Sequence, residues 1–202
     1  MEKKYILLLM LLLIIIISIC LIYRNNNKED TDIKVKYPIY EYYKLNKAIT
    51  ENINYYLKDN IDNYYFLYID YKDYEYKEYI SIVLYISYFT GGAHPNYEIK
   101  TINYNKSTNK FIDIDDLINR DKDILNKLSI YSREYFSNND MFNDKVVFDM
   151  MIDGTKSIKD NYKYFNITSD GLIIYFNRYQ IAPYYYGDYS ITISYNYLNL
   201  SI

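Results

Sequence analysis

Residues 5–23 read YILLLMLLLIIIISICLIY, a run with no charge and nothing more polar than Ser18 between its two tyrosines. No other feature restricts the chain as strongly. As an α-helix rising about 1.5 Å per residue it covers about 28 Å, close to the hydrocarbon thickness of a bilayer. Tyr5 and Tyr23 bracket it as interfacial aromatics do, and Lys3 and Lys4 precede it. The positive-inside rule then leaves a short tail in the cytoplasm and sends residues 24–202 outside. The length of the run favours an uncleaved transmembrane anchor. Two other readings stay open. A cleaved signal peptide has a shorter apolar core and a small-x-small exit, of which Ser18-Ile19-Cys20 is a marginal version. A lipoprotein would be acylated on Cys20, with bulky Ile19 standing where a small residue is expected. All three readings place the rest of the chain outside the cytoplasmic membrane.

Length and composition bound what that exported part can be. The 202 residues suit one or two small domains with a real core. Half of them are apolar and 24% are charged, an ordinary globular balance. A net charge of -3 gives no basic footprint for nucleic acid. Residues 1–23 hold Lys3, Lys4 and Glu2, a net of +1, which leaves -4 on the remainder. Acidity of that size favours a cationic partner weakly. A single cysteine, Cys20, excludes an intrachain disulfide and a cysteine-based zinc cluster. The 31 tyrosines, with no tryptophan, admit a repeated binding platform or a plain codon bias, since Tyr, Asn, Ile and Lys share A/T-rich codons. A skewed composition is a prior about class and no sign of a site. Tyrosine also suits half-buried strands, its ring packed and its hydroxyl wet.

The polar stretch 24–36 reads as a short stalk. Ile39, Tyr42, Ile49, Ile53, Tyr56 and Leu57 then recur at mostly three-and-four spacing, which predicts a helix over about 38–58 with Pro38 in its first turn. NYYFLYIDY (63–71), EYISIVLYISYF (78–89) and YEIKTINYN (97–105) are β-branched, aromatic and partly alternating, hence strands. Asp113 is placed to cap a following helix, and Ile124, Leu128, Tyr131 and Tyr135 line one face of another over 121–136. Residues 144–154 lean to a short helix ending near Gly154. YKYFNIT and LIIYF flank Asp170-Gly171 and form a hairpin. YSITISYNYL (189–198) alternates cleanly as a last strand. Strands and helices come in blocks, which predicts an α+β fold of largely antiparallel sheets with helices packed on them, preceded by one transmembrane helix. The expected organisation is a cytoplasmic tail (1–4), an anchor (5–23), a stalk (24–36) and two exported α+β subdomains (37–112 and 113–202).

Chemistry has few places to sit. FTGGAHP (89–95) gathers Gly91, Gly92, Pro95 and His94, the only histidine of the chain. A triad base needs a carboxylate to orient it, and nothing near His94 in sequence demands one. One histidine cannot supply a hydrolytic metal site. Asp113, Asp115 and Asp116 lack the glycine and distal glutamate of an EF-hand loop and read as helix capping. No spacing singles out a carboxylate pair for glycoside hydrolysis. Residues 90–96 are therefore expected to form an exposed turn between two antiparallel strands, about 78–89 and 97–105. At least one of Gly91 and Gly92 should take a positive φ there, and His94 should be an exposed residue without partners.

YFTGGAHPNYEIKTINYNKSTNKFIDIDDL resembles the junction between two neighbouring bacterial domains of unknown function, and TSDGLIIYFNRYQIAPYYYGDYSITISYNYL resembles the carboxyl end of the same pair. The marks are Thr90-Gly91-Gly92-Ala93-His94, Asp115-Asp116-Leu117, Asp170-Gly171-Leu172, and Ile181-Ala182-Pro183-Tyr184 with Gly187. The resemblance covers about residues 37–202, with 121–160 alike only in helical character. Such an exported domain pair occurs in the lysozyme-sensing sigma-V anti-sigma factor and in the N-terminal part of a peptidoglycan N-acetylmuramic acid deacetylase. It implies a membrane-anchored, sensor-like binding domain of the cell envelope whose partner is lysozyme or peptidoglycan. The motif loop with Gly91, Gly92 and His94 is its candidate binding element. With Met1–Lys4 alone inside, no sigma-binding domain is expected; no deacetylase module, metal or cofactor is expected either. A wall-acting enzyme and a structural envelope protein are the alternatives.

Overall fold

In a computed structural model, residues 31–58 and 63–202 are described, with Ile16 the one described position before them. Apart from Ile16, the expected anchor, 5–23, lies outside the described residues. Among those residues no helix is long and apolar enough to cross a membrane.

Two sheets organise the chain. The first has five strands in the order β1 (Asp32–Val35), β2 (Phe66–Tyr76), β3 (Tyr79–Phe89), β4 (Asn96–Asn105) and β5 (Lys110–Phe111). The second has three, β6 (Phe165–Ile167), β7 (Leu172–Phe176) and β8 (Tyr189–Ile193). Every pairing is antiparallel except β1 with β2, which is parallel. The fold is thus α+β with one mixed and one antiparallel sheet.

Helix α1 (Tyr43–Leu57) connects the parallel pair and buries Leu45, Ile49, Ile53 and Tyr56 on one face of the first sheet. There they meet Leu67 and Ile69 of β2, Ile80, Ile82, Leu84 and Ile86 of β3, and Ile102 and Tyr104 of β4. The helix begins five residues after Pro38. The Asn46 amide bridges both backbone groups of Tyr40, donating to its carbonyl (2.6 Å) and accepting from its N–H (2.9 Å). This side-chain turn holds the preceding segment off the helix axis. Within the stretch expected as stalk, Asp32–Val35 is instead an edge strand, with Ile33 and Val35 packed into the α1 core. Four residues of simple alternation are too few to be told from a polar linker. β2 also runs on to Tyr76, because the charged residues of its second half find full pairing with β3.

The other half wraps the second sheet with α2 (Ile114–Arg120), α3 (Ile124–Ser137), α4 (Lys145–Gly154), α5 (Lys159–Tyr162) and α6 (Tyr195–Leu198). Asp113 caps α2 in a reciprocal box: its carboxylate accepts from the N–H groups of Asp115 (2.8 Å) and Asp116 (3.2 Å), while Asp116 accepts from the Asp113 N–H (3.0 Å). Met151 of α4 and Phe136 of α3 enter a core with Phe165, Ile174, Phe176 and Ile191. The expected last strand stops at Ile193. Its partner β7 begins at Leu172, opposite Ile193, so residues beyond have no strand to pair with. Ser194 then caps a helical turn by accepting from the Tyr197 N–H (3.3 Å).

The two sheets meet through side chains. Opposite residues of paired strands share a face, so Ser81, Val83, Ile99, Thr101 and Asn103 all lie on the face away from α1. Strand β6 sets its outer edge against them. The Ser81 hydroxyl accepts from the Ile167 N–H (3.0 Å) and donates to Asn103 Oδ1 (2.7 Å). Asn103 Nδ2 donates to the Phe165 carbonyl (2.9 Å), and Thr101 Oγ1 accepts from the Phe165 N–H (3.2 Å). Asn166 Nδ2 returns to the Ile82 carbonyl (3.1 Å). Ser81, Asn103 and Asn166 are all buried.

Both glycines of the 90–95 turn take positive φ, +99° at Gly91 and +111° at Gly92, as their sequence context predicts. Around Gly92 there is open space, whereas a Cβ at Gly171 (φ +144°) would lie 2.1 Å from the Ile193 carbonyl oxygen. Gly92→Val should therefore cost about 1–3 kcal/mol through backbone strain alone. Gly171→Ala should cost about 3–5 kcal/mol, because overlap adds to strain. Denaturant midpoints of the two variants check that order. Asn103→Ala, which strips the buried Phe165 carbonyl of its donor, should cost about 2–4 kcal/mol, and Ser81→Ala about 1–3 kcal/mol. The double variant should fall short of their sum, since the two side chains share a bond.

Candidate functional site

Two loops, eighty residues apart in sequence, close on each other at one end of the first sheet. One is the turn after β3, carrying Gly91, Gly92 and His94. The other runs from Asn177 to Asp188 between β7 and β8. Local tethers fix the second loop. Asn177 Oδ1 accepts from the Ile99 N–H of β4 (2.8 Å), and Gln180 Nε2 donates to the carbonyls of Gly154 (3.1 Å) and Asn161 (3.0 Å). Ile181 and Ala182 are buried in the core. Gly187, at φ +85°, lets the chain leave the short 3-10 turn Tyr184–Tyr186 and enter β8.

The loops join through aromatic rings. The His94 imidazole stacks on the Tyr184 ring with centroids 3.8 Å apart and planes 23° apart. The Tyr184 hydroxyl donates to the Pro95 carbonyl at 2.6 Å. Nδ1 of His94 is 3.0 Å from that carbonyl and Nε2 is 3.3 Å from the Tyr179 hydroxyl. A carbonyl can only accept, so Nδ1–H is the donor to Pro95. His94 is therefore half-buried and partnered, which corrects the expectation of a free, exposed side chain. Of its partners, Tyr179 and Tyr184 belong to a segment with no sequence proximity to it, and the third is the carbonyl of the neighbouring Pro95. The ring nitrogens thus face a carbonyl and a hydroxyl, not a carboxylate.

Beneath the histidine, the Arg178 guanidinium lies between two rings, 3.7 Å from the Tyr97 centroid and 4.5 Å from that of Tyr184. Asp188 closes the group: its Oδ1 accepts from the Arg178 N–H (3.0 Å), and its Oδ2 is 3.7 Å from Nε. Burial pushes the Asp188 carboxyl above its usual value, and the opposing pull of Arg178 does not cancel it. Burial likewise raises the Tyr184 hydroxyl. Two tyrosines of the second loop point outward, Tyr179 at 57% exposure and Tyr185 at 74%.

An open cleft of about 340 Å³ lies beside this cluster, on the face of the first sheet away from α1. Tyr68, Asp70, Tyr85, Ser87, Tyr97, Arg178 and Asp188 border it. Of the residues expected at the site, His94 is brought to the loop cluster, and Gly91 and Gly92 form the exposed tip of the same turn. Arg178 and Asp188 were not singled out from the sequence, and Tyr184 entered only as a mark of the resemblance, although NRYQIAPYYYG carries a glycine, a proline and four tyrosines in eleven residues. That density was the available signal. Among the described residues no cluster of three or more His, Cys, Asp or Glu side chains is arranged to hold a metal ion.

Known proteins share much of this chain. It is 31% identical over 181 residues to the peptidoglycan-N-acetylmuramic acid deacetylase PdaC of Bacillus subtilis (strain 168), a match covering 83% of this chain and 38% of the deacetylase. The matched part of that relative is its non-catalytic N-terminal region. Two solved DUF3298 family proteins share the fold at 20% identity. One, from Pseudomonas aeruginosa PAO1, has a TM-score of 0.57, covering 71% of this chain and 66% of the other. The second, from Bacteroides fragilis NCTC 9343, has a TM-score of 0.51, covering 77% and 61%. The chain thus spans less than two thirds of each relative's length. The model for a protein of unknown function, DUF3298, matches residues 115–196, which hold α3 to α5, nearly all of α2, the second sheet and the aromatic loop between β7 and β8. Over residues 115–196 the chain is thus similar to the DUF3298 family, whose function is unknown.

Proposed function

We propose that this protein is a membrane-anchored, exported binding module of the cell envelope, without catalytic activity of its own, that docks lysozyme through the aromatic rim formed by its two motif loops. The observation that carries the reading is the convergence of the 90–95 turn with the 177–188 loop. The segments that carry the resemblance to lysozyme-sensing domains come together as one surface held by the His94–Tyr184 stack. Exposed tyrosines on a rigid base are the usual anchors of a protein interface, because a large ring with two torsions loses little entropy on docking. Tyr179 and Tyr185 stand at that rim, and Arg178 and Tyr97 stiffen it from beneath. The charge of -4 on residues 24–202 is a further, weak attraction for a basic partner. The relation to the non-catalytic part of a wall deacetylase supports a binding role and a wall setting. A wall-acting enzyme has less support, since the imidazole is engaged by a hydroxyl and a carbonyl.

The full-length protein in detergent should bind lysozyme saturably in calorimetry. Tyr185→Ala and Tyr179→Ala should each weaken binding about ten-fold or more, the size of an interface anchor, with the melting temperature of Tyr185→Ala unchanged. A flat titration, or rim variants that bind like the parent, would sink the docking reading. The anchor is tested separately. An alkaline phosphatase fused after Ile202 should be active outside the membrane, and the membrane-bound protein should retain Met1. A mature chain starting after Cys20 or at an acylated Cys20 would replace the anchor by one of its alternatives.

A further inference from the structure

The cleft on the first sheet has a shape that follows from strand register. Tyr68 of β2 pairs with Ser87 of β3, which pairs with Tyr97 of β4. All three project from the same face, so a small hydroxyl forms the floor of a notch and two tyrosine rings form its walls. The next row along the strands is Asp70–Tyr85–Ile99, which closes one end with a ring that is 41% exposed. The row on the other side begins with Phe66 opposite Phe89. Here the floor continues as an aromatic path: Phe66 stacks on Tyr68 with centroids 4.9 Å apart and planes 22° apart, and on Phe89 at 6.2 Å and 29°.

The charges around the notch are paired. Arg178 stands beside Asp188, Lys36 is 3.7 Å from Asp70, and Lys34 is 2.9 Å from Asp32. Such a border attracts neither an anion nor a cation strongly, yet it offers carboxylate acceptors and ammonium donors to hydroxyl groups. Tyr68 is fixed at its far end, its hydroxyl donating to Asp32, and Tyr97 is backed by the Arg178 guanidinium. The walls are therefore set before a ligand arrives, which lowers the ordering cost of binding.

We infer that this notch is a carbohydrate subsite that takes a neutral, extended β-1,4-linked glycan, with one sugar over Ser87 between Tyr68 and Tyr97 and its neighbours along Phe66 and Phe89. A pyranose with equatorial substituents presents flat C–H faces to aromatic rings and hydroxyls at its edge, the combination this cleft matches. The inference rests on the reading of the protein as an exported binding module, and not on lysozyme docking, which uses Tyr179 and Tyr185.

The test titrates full-length protein in detergent with three hexasaccharides: the β-1,4-linked oligomers of N-acetylglucosamine and of glucose, and α-1,4-linked maltohexaose. At least one β-linked oligomer should bind saturably in the millimolar range or tighter, and maltohexaose should not. Ser87→Trp, which fills the notch, and Tyr68→Ala, which removes a wall, should each weaken sugar binding about ten-fold or more. Tyr185→Ala should leave it unchanged. Thermal melts identify any variant that fails to fold, in which case the other decides. The inference is overturned by the absence of β-linked binding, by equal binding of all three sugars, or by a folded Ser87→Trp variant that binds as the parent does. Lysozyme binding is measured on the same variants. Its loss in Tyr185→Ala with sugar binding intact, or the reverse pattern in Ser87→Trp, shows which reading stands.

Discussion

The buried edge of β6 is the constraint on which the arrangement of the two halves depends. A strand edge placed in a protein interior must have its N–H and C=O groups satisfied, since each orphan costs about 1–3 kcal/mol. Among the described residues no further strand covers that edge. Ser81, Thr101 and Asn103 rise from the face of the first sheet and bond the backbone of Phe165 and Ile167. Directional bonds of this kind admit one position of the second sheet along β3 and β4. Apolar contacts alone, such as Val83, Ile99 and Tyr175 between the sheets, would tolerate sliding. The network is not wholly satisfied, for Asn166 Oδ1 has no hydrogen-bond partner among the described residues. Its amide nitrogen is anchored on the Ile82 carbonyl, and that anchoring fixes where the oxygen must face.

The position of the candidate site follows from that placement. Once β6 is pinned, β7 ends at Phe176 beside β4, and Asn177 reaches the Ile99 N–H. The next residue, Arg178, is then delivered onto the Tyr97 ring, and the rest of the loop is carried over the 90–95 turn. A guanidinium between two rings, with a carboxylate at its side, resists displacement because its charge is compensated where it sits. The rim and the cleft thus share one support. They present different chemistry on its two sides: protruding tyrosines at the loops, and a walled notch on the sheet.

Much of the architecture was legible in residue patterns. The three long strands, the helices at 124–137 and 145–154, the Asp113 cap and the Asp170-Gly171 hairpin follow from period, capping chemistry and turn residues, all of which act over a few positions. Departures arose where a partner distant in sequence decided the outcome. Asp32–Val35 is a strand because β2 offers it an edge. Residues 195–198 are helical because β7 begins only at Leu172, opposite Ile193, and offers them no partner. The helix expected from 38 starts at Tyr43 because an asparagine further along claims the backbone of Tyr40.

The same division holds for the site. From residue type alone, Gly91 and Gly92 had to mark a turn with positive φ, because other residues are strained there. The apolar run 5–23, the lone histidine and the lone cysteine likewise narrowed the chemistry open to the chain before any fold was considered. Local sequence carried no information on what His94 touches. Its stack on Tyr184 spans ninety residues, and so does the seat of Arg178 on Tyr97 by about eighty. Those contacts exist because two sheets pack in one register, and register between sheets is settled by the sum of buried hydrogen bonds and apolar contacts across the interface. No single segment contains that sum, so the tertiary structure alone decided it.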